Sequence, residues 1–312
     1  MHEAPQRRLP HRRIVLGLLA ASSLLLSGCG VVAATPTTSM PTPFDEAAGS
    51  VSASLSVTAP SEGKPAPGRL PVYWLGVNGS NVHLYREFQP SETSGDPIVE
   101  AVVAMTSDKP ADPDYFNPWS KAGSVTASIS GKNVITVDIS SDAFKTSLDA
   151  GMAHRAVQQL VYTATAAASN AGLTTVKYEP SVVLLVDGKA GYRAFGHERL
   201  EGQLQRDASL MAPIWIIDPQ QGDGTGPSLQ VHGTAVSEGG QVSWRVEPIV
   251  DGRPAEDAVQ TGYAELEAPT GGTSLYSFSV DLAPGEYSVS VFHGAERADE
   301  DSKRVTVYSD VN

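Results

Sequence analysis

The side chain with the clearest chemical potential in this sequence is the thiol of Cys29. It is the only cysteine in the chain, so it cannot form half of an internal disulfide. It follows an apolar run over residues 14 to 26 and the two small residues Ser27 and Gly28. A thiol in this position is either a site of covalent modification or a buried apolar group, because free cysteines are commonly core residues.

The residues before Cys29 predict an export signal. Four arginines come first, and the predominantly apolar run after them, 13 residues long, falls short of the roughly 20 residues that a membrane-spanning helix needs. A basic segment followed by a short apolar one is typical of a secretory signal. The pair Arg12-Arg13 faintly resembles a twin-arginine signal, and the sequence leaves the export route open.

The ending Leu26-Ser27-Gly28-Cys29 resembles the lipobox of bacterial lipoproteins. In that family a thioether-linked diacylglycerol is added to the cysteine, and the peptide before it is removed. The resemblance implies a signal peptide over residues 1–28, a lipidation site at Cys29 and a place on the extracytoplasmic face of the cell membrane. The alternative is an ordinary signal peptide followed by a buried free thiol.

Length and charge restrict the remaining possibilities. The 312 residues are enough for two domains and a leader. The net charge is −13, and removal of the +3 carried by residues 1–28 leaves about −16. Nucleic acid is excluded as an expected partner, because its binding needs clustered positive charge. The acidity is concentrated in residues 213–312, at −11, against −3 in residues 70–199.

Composition divides the chain into a tether and two domains. Residues 29–69 are rich in Pro, Ser, Thr and Ala and cannot bury enough apolar surface to fold, so we expect a disordered tether. Residues 70–199 mix strand and helix patterns and predict an α+β domain of helices on one sheet face. Residues 200–212 are expected to be a linker, and residues 213–309 an independently folding β-sandwich.

The predicted elements of the first domain are two hairpins and two helices. Asn78-Gly79-Ser80-Asn81 joins two β-rich runs, and Asp96 is expected to cap a helix that begins at Pro97. The apolar stripe of that helix is predicted to be Ile98, Val99, Val102 and Val103. The other predicted elements are strands at 124–130, 134–139, 176–178 and 182–186, and a long helix over 147–171.

The second domain shows no helix pattern and seven short strand patterns. They indicate a sandwich of immunoglobulin type, closed by apolar packing without a disulfide. Tyr287, after Pro284-Gly285, resembles a tyrosine corner, and Trp244 is expected to be the core tryptophan. The predicted strands are residues 214–217, 229–236, 242–246, 262–266, 275–280, 287–292 and 304–308.

Both halves resemble known families. Residues 134–140 (VITVDIS), 156–165 (AVQQLVYTAT) and 182–188 (VVLLVDG) resemble the GerMN domain of sporulation and germination proteins. The stretches Ile217-Asp218-Pro219, 231–235 and 287–292 resemble the immunoglobulin-like domain of bacterial spore germination proteins. This order of lipobox, GerMN and sandwich looks like a lipoprotein architecture of Gram-positive bacteria, including actinobacteria, and neither family implies catalytic residues.

Sites for catalysis, metals or cofactors are not predicted. The histidines beyond the leader are scattered singly, with no metal-ligand spacing and no nucleophile elbow. Residues 222–226 (GDGTG) lack the Lys-Ser/Thr of a phosphate loop. Asp299-Glu300-Asp301 could ligate calcium, although solvated loop charge is the preferred interpretation. The histidines are His83, His154, His197, His232 and His293.

These observations predict a non-catalytic lipoprotein that binds or assembles at the cell envelope. Its expected partners are the membrane, through lipid on Cys29, and an envelope protein or cell-wall polymer. Two alternatives remain open. One is a regulator associated with a membrane sensor kinase, and the other is a cell-wall-acting enzyme whose site the sequence does not reveal.

Overall fold

The computed structural model describes residues 68–91, 95–236, 239–255, 259–268 and 272–309. All of them belong to one compact unit, residues 56–312. The signal peptide, Cys29 and almost all of the tether lie outside the described residues. An α+β domain comes first and an all-β sandwich follows it, as the sequence predicts. Among the described helices, none has the length and apolar character required to cross a membrane.

The first domain opens with the predicted hairpin. β1 (Arg69–Asn78) and β2 (Asn81–Pro90) pair antiparallel along their whole length. Gly79 adopts a positive φ of 60°, which glycine reaches without steric cost and which the tight turn requires. A two-residue strand, β3 (Tyr115–Phe116), pairs with the other edge of β1 and completes a three-stranded sheet.

Helix α1 (Pro97–Ser107) begins where the sequence predicts. The Asp96 carboxylate accepts hydrogen bonds from the backbone N–H groups of Ile98 and Val99. The buried face has the helical spacing of residues 98, 101, 102 and 105. Val103 is 41% exposed, so its predicted place in the buried stripe is wrong. It lies about one helical turn beyond Val99, next to the buried face and not on it.

A second three-stranded sheet lies in the same domain, so the prediction of one sheet is wrong. β4 (Val125–Ile129) pairs antiparallel with β5 (Val134–Ile139), and β5 pairs parallel with β6 (Ser181–Val186). The strand expected at 176–178 is absent from the described structure. That segment is a loop held by the Asn133 side-chain amide, which donates to the carbonyl oxygens of Thr175 and Tyr178.

Helix α2 (Ala150–Asn170) is the crossover between β5 and β6 and the centre of the domain. It begins three residues later than predicted because the Asp149 side chain caps it, and it ends before Gly172. Residues 156–168 are all buried, since α2 contacts β1 on one side and β6 on another. The helix therefore lies between the two sheets and does not simply cover one face.

The expected linker packs against the first domain. After the small hairpin of β7 (Arg193–Ala194) and β8 (Glu198–Arg199), Leu200 and Leu210 are buried. Leu204 exchanges two backbone hydrogen bonds with Val182 of β6. Residues 200–212 contain one short 3-10 turn, Ala208–Leu210.

The sandwich contains the predicted strands and no helix among its described residues. One sheet has the order β15-β11-β9, and the other has the order β10-β17-β16-β12, with β13 and β14 both pairing with β12. The strands are β9 (Ile214–Asp218), β10 (Gly224–Thr225), β11 (Ser228–Val236), β12 (Gln241–Val250), β13 (Arg253–Pro254), β14 (Gln260–Glu265), β15 (Thr273–Asp281), β16 (Gly285–His293) and β17 (Ala298–Val307).

Strand β9 belongs to both hydrophobic cores. Ile214 and Ile216 lie in the core of the sandwich. Trp215 and Ile217, which point to the opposite face, lie in the core of the first domain. The two domains are therefore joined by a shared strand, β9, which is packed into both cores.

Candidate functional site

A cleft of about 590 Å³ opens on the sandwich. Its walls come from β12, β14 and the end of β16, with the turn after β16 closing one side. The residues that line it include Ser243, Trp244, Thr261, Tyr263, Phe292 and His293. This volume falls within the roughly 300–1,000 Å³ of small-molecule pockets.

The strand register builds one row of this cleft. Ser243 of β12 lies directly opposite Tyr263 of β14 on one side and Phe292 of β16 on the other. Directly opposed residues project from the same face of a sheet, so two aromatic rings flank one hydroxyl group. Tyr263 is 70% exposed, which leaves its ring available to a ligand.

Trp244 is also among the residues that line the cleft, but its side chain points to the opposite face of β12 from Ser243. Its ring stacks on Phe278 of the opposite sheet, with centroids 4.8 Å apart and planes 6° apart. Gly262 lies opposite Trp244, and a Cβ atom there would come within 2.4 Å of the indole ring. The indole therefore needs glycine at position 262. The expectation of a core tryptophan is only partly met, since Trp244 is half-buried at the edge of the core.

Charged side chains lie beside the cleft, and each has a partner: Asp299 is 3.4 Å from His293, which lines the cleft. Arg245 forms an ion pair with Glu247, with an N–O distance of 2.7 Å. Arg297 lies over the ring of Phe292, 5.0 Å from its centroid, and pairs with Glu300. No Asp, Glu, Lys or Arg is among the described residues that line the cleft. The site thus presents aromatic rings, hydroxyls, amides and one imidazole.

A different kind of cluster lies where the two domains meet. The Lys303 ammonium group is 2% exposed and donates to Asp112 at 2.7 Å, to Asp301 at 3.0 Å and to the hydroxyl of Tyr115 at 2.6 Å. Asp112 and Tyr115 belong to the first domain, whereas Asp301 and Lys303 belong to β17. We refer to these four residues as the junction cluster.

Burial and pairing compete within the junction cluster. Burial by itself lowers the pKa of Lys303, but Asp301 and Asp112 outweigh it and raise that pKa, so the ammonium form is retained. Burial raises the pKa of Asp301, against the attraction of Lys303 and a 2.7 Å hydrogen bond from the backbone N–H of Ile216. Each buried charge is therefore held by an opposite charge or a donor.

Glu87 supports the junction cluster from the first domain. Its buried carboxylate accepts hydrogen bonds from the backbone N–H groups of Ala111 and Asp112, at 2.9 and 2.8 Å. Burial raises the pKa of Glu87, and these two N–H groups oppose that rise. Nearby, the guanidinium of Arg86 lies over the rings of Phe88 and Trp215, 4.6 and 5.0 Å from their centroids.

The acidic run near the C-terminus does not lie in a solvated loop. Asp301 is 5% exposed in the junction cluster, so the preferred interpretation of solvated charge is wrong for this residue. Glu300 pairs with Arg297, and Asp299 lies 3.4 Å from His293. Within the described residues there is no group of three ligands suited to a metal ion.

The structure brings the predicted histidines into no common site. His154 lies between the carboxylates of Glu198 and Asp207, each 3.4 Å away and each partly exposed. Burial lowers the pKa of His83. The glycine-rich stretch 222–226 contains β10, which pairs parallel with β17.

Sequence reasoning missed both the cleft and the junction cluster. One signal for the junction was available: residues 301, 303, 305 and 307 alternate on one face of β17, and two of these inward positions are charged. No comparable local signal marks the cleft, because residues 243, 263 and 292 become neighbours only through strand pairing.

Comparison with known families identifies the first domain. Residues 71–191 match the family model Germane, described as "Sporulation and spore germination". Residues 71–191 are a Germane domain. This confirms the predicted resemblance for the first half of the chain. The matched residues end at 191, so the immunoglobulin-like resemblance of residues 213–309 stays a prediction.

Two solved structures of the sporulation protein GerM from Bacillus subtilis are similar to part of this chain. The tandem GerMN domains of the sporulation protein GerM from Bacillus subtilis are 18% identical, with a TM-score of 0.36, and the match covers 46% of this chain and 47% of that one. The first GerMN domain of GerM is 14% identical, with a TM-score of 0.35, covering 44% and 97%. The chain thus spans just under half of the tandem-domain structure. No curated protein sequence matches it.

The two clusters lie differently with respect to the Germane domain. Asp112 and Tyr115 of the junction cluster fall within the matched residues, and Asp301 and Lys303 fall outside them. Every described residue that lines the cleft lies outside the matched range. The cleft is therefore a feature of the sandwich. The junction cluster joins the sandwich to the Germane domain.

Proposed function

We propose that this protein is a non-catalytic binding module of the cell envelope, held at the membrane by lipid on Cys29. The Germane domain and the sandwich act as one rigid body, and the sandwich presents the cleft to a ligand. The observation that carries the proposal is that the buried charges join the two domains and do not line the cleft. Lys303, Asp301 and Asp112 bridge the two domains, while the described residues that line the cleft offer aromatic, hydroxyl and amide groups and the imidazole of His293.

The lipobox at residues 26–29 supports the anchor. A single acyl chain gives only marginal membrane binding, whereas two or more hold a protein stably, at about 0.8 kcal/mol for each buried CH₂ group. The tether over residues 29–69 would then place the rigid body some distance from the lipid surface. Its composition is that of a flexible, proline-rich chain.

The anchor is tested by replacing the thiol. We expect Cys29→Ser to abolish detergent-phase partitioning of the full chain produced in cells, because the oxygen cannot carry the thioether lipid. Ser39→Ala, ten residues further along the tether, is the matched control and should partition as the unchanged chain does. Equal detergent-phase fractions for Cys29→Ser and the unchanged chain would refute lipidation at this position.

The absence of catalysis is tested with cell envelope as the substrate. The full chain, purified in detergent, is incubated with isolated envelope, and both the bound protein and the released small molecules are measured. We expect saturable binding and no release beyond that of a protein-free sample. Release of any envelope component in proportion to protein and time would show an enzyme and overturn the proposal.

A further inference from the structure

The chemistry of the cleft restricts what it can bind, and this inference rests on the binding function proposed above. The exposed ring of Tyr263 and the half-buried ring of Phe292 flank the hydroxyl of Ser243. A planar apolar face on the ligand would pack on such rings. Polar groups around its rim would meet hydroxyls and amides. Few ligands combine both requirements without a charge.

The lack of charged side chains among the described lining residues disfavours charged ligands. A cationic ligand would need a carboxylate in the cleft, and an anionic one would need a lysine or arginine, but none lines it in the described structure. The two nearest arginines, Arg245 and Arg297, are already paired with Glu247 and Glu300. Residues 213–312 carry a net charge of −11, so a neutral cleft in this domain also offers nothing to attract an anion.

We propose that this cleft binds an uncharged saccharide, with a sugar ring stacked on Tyr263 and its hydroxyls hydrogen-bonded to Ser243 and Thr261. The C–H groups on one side of a pyranose ring form an apolar face of the size of an aromatic ring, and its equatorial hydroxyls point outward. The cleft volume of about 590 Å³ suits a short saccharide segment.

The geometry favours a saccharide over an apolar peptide segment. A peptide would need an apolar pocket for its side chains or a run of free backbone groups along a strand edge. On one face of the sheet, the exposed ring of Tyr263 lies beside the hydroxyls of Ser243 and Thr261. A peptide that paired with the outer edge of β14, which bonds only to β12 among the described strands, would leave this face uncovered. Peptide binding is therefore an outcome that the experiment must be able to reveal.

The experiment titrates the full chain in detergent with defined saccharides and follows binding by calorimetry. The uncharged probes are N,N′-diacetylchitobiose and cellobiose, and the charged probe is digalacturonic acid. We expect at least one uncharged probe to bind and the charged probe to bind more weakly. Failure of both uncharged probes, or tighter binding of the charged one, would overturn the proposal.

Variants of one tyrosine locate the site. Tyr263→Ala should weaken binding by at least about threefold, and Tyr263→Phe should change it by less than about twofold, because stacking depends on the ring and not on the hydroxyl. Tyr308→Ala removes another exposed tyrosine of the sandwich, outside the cleft, and should leave affinity unchanged. Equal affinities for Tyr263→Ala and the unchanged chain would refute the site.

The envelope assay separates failure of the ligand class from failure of the proposed function. If envelope binding persists but no saccharide binds, the saccharide assignment is wrong and the binding function stands. If a tryptic peptide mixture displaces the bound envelope material and the saccharides do not, a peptide is the ligand and this inference falls. Turnover of envelope would overturn the function itself.

Discussion

The junction cluster and the cleft use opposite chemistry. At the junction, an ammonium and two carboxylates are almost completely buried and contact one another across two domains. In the cleft, aromatic and hydroxyl groups are partly exposed, and the described residues that line it include no Asp, Glu, Lys or Arg. The charges of the junction cluster therefore form a structural contact between domains, whereas the cleft exposes uncharged groups to solvent.

The difference also predicts where substitutions will be costly. Removing one member of a buried ion pair leaves an uncompensated charge, whereas removing an exposed ring leaves only a change in hydrated surface. A large loss of stability from a substitution in the cleft, or a small loss from one at the junction, would contradict this contrast.

The largest expected effect is that of Lys303→Met. Methionine has a similar length, but it leaves Asp112 and Asp301 buried together without their cation, so we expect a loss of about 3–5 kcal/mol in the free energy of unfolding. Urea denaturation measures it. Tyr263→Ala, in the cleft, should change the same quantity by no more than about 0.5 kcal/mol.

Lys145→Met is the matched control for the loss of a lysine. Lys145 pairs with Asp142 at 2.6 Å, but their side chains are 70% and 49% exposed, so we expect a change of at most about 1 kcal/mol. Similar losses for the Lys303 and Lys145 variants would mean that the junction cluster is solvated, and the contrast with the cleft would disappear.

An intermediate effect concerns the pH dependence of the junction. Burial raises the pKa of Glu87 above its ordinary value of 4.5. The folded state then holds this proton more tightly than the unfolded state, so the contribution to stability declines as pH rises from the ordinary value through the raised one. Glu87→Gln cannot titrate and should lack this decline.

The measurement compares unfolding free energies of the unchanged chain and Glu87→Gln at several pH values between about 4 and 7. The stability of the unchanged chain relative to the variant should fall across this range. Tyr263→Ala should show the same pH profile as the unchanged chain, because its side chain has no charge there. Parallel profiles for Glu87→Gln and the unchanged chain would contradict the raised pKa.

The smallest effect tests a neutral hydrogen bond in the sandwich. The Tyr287 hydroxyl donates to the backbone carbonyl of Ala283 at 2.9 Å, which confirms the predicted tyrosine corner. The bond is exposed, so its loss in Tyr287→Phe leaves a carbonyl that water can reach. We expect a cost of about 0.5–1.5 kcal/mol, measured as a lower urea midpoint. An unchanged midpoint would show that the corner adds nothing to stability.

Local patterns in the sequence predicted most elements of the fold. The turn at residues 78–81, the Asp96 cap and the apolar periodicity of α2 each depend on residues close together in the chain. The two-sheet arrangement of the first domain was not predictable in this way. It depends on β3, a strand of two residues, and on a parallel pairing of β5 and β6 across a whole helix.

The candidate sites were not predictable from local patterns for the same reason. Asp112 and Lys303 are 191 residues apart, and each is an ordinary surface residue type when considered alone. Ser243, Tyr263 and Phe292 meet because β12 pairs with both β14 and β16. Cys29 shows the reverse case: its prediction rests on adjacent residues, and it lies outside the described structure.

The long chain separation across the junction has a consequence for how the protein folds. The family match of the Germane domain ends at residue 191, yet the core of the first domain includes Trp215. Its buried Asp112 accepts a hydrogen bond from Lys303, which lies much later in the chain. Closing a contact of such separation carries a loop entropy that must be met before the contact contributes. The first domain therefore reaches its final packing only after β17 has been synthesised and has docked against Asp112.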